Sequence, residues 1–201
     1  MRFPRQLEAQ FHVDNFVARR RYLLGCAASG LFAIILAGFF DDLPCPDIPQ
    51  LVRVFNYGAP LCVLGFLVPV VRVSQAWMLE ALYAVCATIV GLLAIGMIAQ
   101  SRAFTAYQHS IVTVLFICAV TVGARLRFWY AFASSSACLL GFFALMHGHT
   151  PLEQAVVKDN FEILLTSSAF VLFANYLLEQ RERRMYLLRK LEVCRQQELE
   201  E

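Results

Sequence analysis

FEILLTSSAFVLFANYLLEQRERRMYLLRKLEVCRQQELEE, residues 161–201, starts as a lipid-soluble run and ends as a charged helix. Up to Leu178 the only charged residue is Glu162; from Glu179 onward acids and bases alternate in dense succession. The stretch has neither Gly nor Pro, and past Leu178 every residue is a fair helix former. The pattern predicts one helix that leaves a membrane and carries on rigidly into water.

The rest of the chain fits that reading. Of 201 residues, 59% are hydrophobic and 16% charged, and the mean hydropathy is +0.60. A soluble domain carries about a quarter charged residues. The apolar residues come in blocks near the ~20 needed to cross a hydrocarbon core. Six spans are expected, at 22–40, 52–71, 77–99, 106–124, 128–147 and 161–178. The predicted fold is an all-α integral membrane six-helix bundle. Residues 1–21 form an N-terminal interfacial segment, 22–178 the six-span domain, and 179–201 a juxtamembrane signalling helix opening a coiled-coil linker. No cleavable signal peptide is visible.

Basic residues set the direction. With both termini in the cytoplasm, the inside holds Arg2, Arg5, Arg19, Arg20, Arg21, Arg72, Arg125, Arg127 and every Lys and Arg from Arg181 to Arg195. Only Arg53, Arg102 and Lys158 remain outside, beside Asp41, Asp42, Asp47, Glu153 and Asp159. Lys and Arg resist translocation, so this bias predicts a multi-pass membrane protein with both termini in the cytoplasm. Phe3, Leu7 and Phe11 recur every fourth residue, which suits a short helix on the inner leaflet or, equally, a frayed basic leader.

Ionisable groups at bilayer depth require partners. Glu80 lies one turn into the third span, at the depth of Arg72, Arg125 and Arg127, and a structural ion pair is expected among them. A proton path is the weaker reading, since no second carboxylate lies deeper. Arg53 and Glu162 are similarly placed at the outer side and either pair or snorkel. His109, His147 and His149 gather at the outer rim, where imidazoles can ligate a metal or a haem or titrate near neutral pH; the bland alternative is ordinary interfacial histidines. The seven cysteines form no CxxC pair and indicate neither a disulfide framework nor a zinc site. Small residues repeat at four-residue spacing at Ala133, Ala137 and Gly141, at Ala87 and Gly91, and at Gly25 and Ser29. They fit close helix approach within one protomer or a dimer face. No P-loop, Gly-rich nucleotide fingerprint, nucleophile elbow, HExxH or paired intramembrane carboxylates occur, so no catalytic residue is assigned.

In the tail, apolar positions fall in two stripes: Met185, Leu188 and Leu199, or Leu187, Leu191 and Cys194. Both approximate heptad seams, and neither is a self-sufficient coiled coil. Glu182 can pair across a turn with downstream bases. The competing reading of the tail is a solvated basic anchor on inner-leaflet phosphates.

From Tyr107 onward the chain resembles the six-span N-terminal membrane module of bacterial nucleotide cyclases, either diguanylate cyclases with a GGDEF output domain or class III adenylate cyclases. The stretches that carry the likeness are Tyr107, ARLRFWYAF (124–132), DNFEILLTSSAFVLFANY (159–176) and LEQRERRMYLLRK (178–190). The family's last motif reads approximately Tyr-x-x-Glu-x-x-x-Arg-x-aromatic-Leu. Tyr176, Glu179, Arg183 or Arg184, Tyr186 and Leu187 stand in the matching places, with Tyr186 where Phe is usual. The resemblance implies a homodimer in the lipid bilayer that signals through those residues to a cyclase domain beyond VCRQQELEE. Candidate stimuli are a lipophilic or periplasmic small molecule, a metal or haem at His109, His147 and His149, or the state of the membrane itself, and no nucleic-acid partner is expected. Two other readings stand beside it: a passive anchor and dimerisation domain without ligand, and a small stand-alone transporter.

Overall fold

The computed structural model describes residues 5–39, 47–73, 75–101, 124–146 and 151–200. These form five helices: α1 (Arg5–Phe39), α2 (Pro49–Arg72), α3 (Ala76–Gln100), α4 (Phe128–Met146) and α5 (Pro151–Glu200). α2 and α5 both begin at proline, whose missing N–H lacks an intrahelical partner at a helix start in any case. α2 ends where Val73 turns extended and donates its N–H to the Pro69 carbonyl at 2.9 Å.

Three helices are long and apolar enough to cross a membrane: α2 over Pro49–Val70, α3 over Ala76–Met97, and α5 within Phe161–Leu199. The expected six-helix bundle is therefore corrected to an all-helical chain with five helices and three such spans among the described residues. The expected first span is the second half of a single 35-residue helix whose first half carries Arg19, Arg20 and Arg21. The described part of α4 gives a shorter apolar stretch, Phe128–Ala144, and residues 147–150 after it lie outside the described residues. Apart from Ala124, the expected fourth span lies outside the described residues.

α3 lies at the centre, against α1, α2 and α4, and α5 packs on α4. The α3–α4 contact is close. A Cβ at Gly141 would run into the Leu92 side chain, and the Thr88 hydroxyl donates to Ser134 Oγ at 2.8 Å. The small-residue stripe of α4 is thus used at Gly141 within one protomer. One apolar cluster joins Val52, Ile95, Cys138, Phe142 and Leu164. A second, at the basic end, gathers Leu23, Phe66, Leu79, Tyr83, Leu126 and Ala131. Large apolar side chains also stand outward on every helix, among them Phe32, Leu61, Val85, Leu140 and Phe170. Outward apolar surface of this extent, on helices long enough to cross a bilayer, fits a lipid solvent.

The continuity of the two terminal helices is what positions the site. α1 runs through residue 21 without a break, and α5 has 50 residues, passing through residues 178 and 179 as regular helix. At 1.5 Å per residue α5 is about 75 Å long, so some 45 Å of it extends beyond a hydrocarbon core.

Candidate functional site at the basic end

The residues ARLR (124–127) make the turn that leads into α4, and charged groups from three helices, α1, α3 and α5, converge on it. Arg125 has φ 51°, in the left-handed region that a side chain with a Cβ enters at a cost of about 1–2 kcal/mol. Three contacts hold it there. Its carbonyl accepts a hydrogen bond from Arg19 Nη2 at 2.7 Å, its guanidinium pairs with Glu182 at 3.1 Å, and that guanidinium lies over the Tyr22 ring at 4.4 Å. The next carbonyl, of Leu126, accepts from Asn175 Nδ2 at 2.9 Å.

In the first turn of α4 the Tyr130 N–H reaches the Arg127 carbonyl at 3.0 Å, but the Phe128 N–H, at the start of the helix, needs a partner from elsewhere. Glu179 of α5 supplies one: its Oε2 accepts from the Phe128 N–H at 3.0 Å, and its Oε1 receives Arg183 Nη2 at 2.9 Å and Nε at 3.2 Å. A carboxylate from one helix thus caps another at the positive end of its dipole. The Tyr176 ring meets Phe128 edge-on at 5.9 Å, one turn deeper.

Below the turn, Glu80 is fully buried between two arginines. Arg19 Nε approaches Oε1 at 2.6 Å and Arg127 Nε approaches Oε2 at 3.0 Å. Neither approach has the alignment of a hydrogen bond, so charge attraction rather than a fork-shaped pair holds the triad. Farther out, Tyr186 donates its hydroxyl to Asp14 Oδ2 at 2.7 Å, and Lys190 pairs with the same oxygen at 3.2 Å. The Tyr186 ring packs edge-on against Phe11 at 5.1 Å. The Tyr186 hydrogen bond, with Lys190 beside it, holds the Asp14 carboxyl below its ordinary value, and Asp14 in turn raises Lys190. Burial, then the bond to Asp14, pushes the Tyr186 phenol up.

The expected ion-pair set divides. Arg127 meets Glu80, Arg125 meets Glu182 instead, and Arg72 is exposed and does not reach Glu80. Glu162 pairs with Lys158 at 3.9 Å rather than with Arg53. Among the motif residues, Glu179 and Arg183 bond one another, Tyr186 is buried on α1, Leu187 is half-buried, and Arg184 is exposed. His109, His147 and His149 lie outside the described residues. No cluster of three or more His, Cys, Asp or Glu that would hold a metal occurs among the described residues. Sequence reasoning missed Arg19 and Asp14. Their signal was the stripe Phe11, Asn15, Ala18 and Tyr22 on α1, which marks a packed face beside those two charges.

Fold and site together define a helical membrane protein whose terminal helix is clamped electrostatically as it leaves the apolar region. Models of known families, curated proteins and solved structures give no match to the chain.

Proposed function

We propose that this chain is the membrane sensor and dimerisation module of a bacterial nucleotide cyclase, with a diguanylate cyclase favoured and an adenylate cyclase next. Both termini then face the cytoplasm, where the bases cluster, and α5 passes movement in the membrane to an output domain. The observation that carries this reading is the Glu179 clamp. α5 is one continuous helix, and where its charged part begins it is bonded to the backbone of the α4 turn through Glu179 and to its arginine through Glu182. A shift of α4 against α3 is thereby transmitted to α5 as rotation or sliding instead of being absorbed by a loop.

The far part of α5 favours pairing. Leu188, Leu191 and Leu199 are 59%, 65% and 81% exposed, and no other part of the described chain covers them. Two stripes of similar quality suit a helix pair that changes register, because a ligand shifts only states that lie close in energy. The test is to express the uninterrupted reading frame and assay cyclic dinucleotide and cyclic AMP synthesis, with and without Glu179→Ala. Cyclase activity that loses its stimulated component in the variant supports the proposal. No cyclase activity, or an unchanged response, overturns it. Replacement of the membrane module by an unrelated dimeric anchor, with output preserved, would favour a passive role.

A further inference from the structure

Between the charged halves of α1 and α5 lies a hollow of about 390 Å³, within the size range of small-ligand pockets. Its apolar walls include Phe11 and Tyr22 from α1 and Met185 from α5. Arg181 and Arg189 also line it, about 12 Å apart along α5 on either side of Met185. Among the described residues, neither arginine has an ion-pair or hydrogen-bond partner.

The other charges around the hollow are already matched. Arg19 is held by Glu80 and by the Arg125 carbonyl, and Arg125 by Glu182, the one carboxylate in the lining. Asp14, just beyond, is held by Tyr186 and Lys190. The open hollow is therefore lined by two exposed guanidinium groups without a counter-charge, beside the apolar side chains, an arrangement that attracts an anion. Guanidinium is a planar fork that matches the oxygens of a phosphoryl group better than an ammonium does. Ligand pockets combine apolar walls with a few placed polar groups, so the aromatic and thioether side chains here suit a ligand that also has an apolar part.

We propose that this hollow binds a phosphoryl anion, a phosphate monoester or diester, with Arg181 and Arg189 as its clamps. The Phe11, Tyr22 and Met185 walls take the apolar part of the molecule. All of these residues lie in α1 or α5, so the site is independent of any output domain. It opens where α5 leaves its apolar stretch, a depth that lipid headgroups and dissolved phosphate compounds both reach.

The experiment uses the full chain in detergent, titrated with phosphatidylglycerol, with phosphatidylcholine and with inorganic phosphate, and followed by native mass spectrometry and thermal shift. Arg181→Gln with Arg189→Gln should weaken binding about five-fold per arginine, or roughly 25-fold for the pair. Arg21→Gln with Arg72→Gln removes equal charge from exposed positions outside the hollow and should leave the affinity near that of the parent. Ala18→Glu, which places a carboxylate in the lining, should weaken binding as well and serves if the double variant does not fold. A response to phosphatidylglycerol alone assigns a lipid headgroup, a response to phosphate alone a soluble ligand, and a response to both the shared chemistry. Absence of binding by either, or equal weakening by the Arg21 and Arg72 pair, overturns the site.

Discussion

Glu80→Gln is the perturbation whose magnitude follows most directly from the structure. The carboxylate is 0% exposed, while Arg19 and Arg127 beside it are 11% and 22% exposed. Neutralising it without changing its shape leaves two guanidinium groups facing each other in a dry site. Removing one partner from a buried pair is worth about 3–5 kcal/mol, and the partial exposure of the two arginines places this case near 3. For a chain of this size that converts to a fall in Tm of roughly 6–12 °C. The arginine variants should cost less, because each leaves Glu80 with one cation. Arg19→Gln should exceed Arg127→Gln, since Arg19 also donates to the Arg125 carbonyl. The assay is thermal unfolding of the purified chain in one detergent, with the three variants compared at a single scan rate. If Glu80→Gln shifts Tm by less than about 2 °C, the carboxylate is hydrated and the triad does not organise this end of the protein.

Further outcomes follow from the other contacts. Glu179→Ala removes the cap on α4 and should lower stability by about 1–2 kcal/mol, with faster hydrogen exchange at the Phe128 amide as the specific readout. Gly141→Val drives a branched side chain into Leu92 and should cost about 1–3 kcal/mol, read as a lower Tm and weaker α3–α4 crosslinking. The Asp14 strap is pH-limited on both sides. The Asp14 pKa is held below its ordinary 3.8, so its contribution is complete above that value and is lost as pH falls through the lower folded value. The Lys190 pKa is raised above its ordinary 10.5, so its contribution is complete below that value and is lost as pH rises through the higher one. Proteolysis of the first half of α1 should therefore be slow between these limits and faster outside them, and Asp14→Asn should be fast throughout.

Composition and periodicity made the helical class legible, because long apolar runs flanked by arginine leave little else to form. They also placed Glu80 and Arg127 at one depth. Arg19 escaped because Arg19, Arg20 and Arg21 read as a stop signal separating an interfacial segment from a span, whereas α1 is continuous and turns Arg19 inward. Local spacing also misdirected Glu182 toward downstream bases; its partner, Arg125, lies 57 residues away and reaches it only because the turn before α4 folds onto α5. The left-handed φ at Arg125 carries no sequence mark, since glycine or asparagine would be the usual occupant. The count of spans differs at the first, fourth and fifth: the first belongs to a longer helix that carries Arg19, Arg20 and Arg21, the fourth lies outside the described residues apart from Ala124, and α4 is described as apolar over Phe128–Ala144.

Cysteine-scanning crosslinking along residues 185–199, in native membranes and with Cys194 first replaced, addresses the transmitting helix most directly. The account predicts helical periodicity, with maxima at Met185, Leu188 and Leu199 in one activity state and at Leu187 and Leu191 in the other. Identical rates in both states, or no periodicity at all, would contradict it.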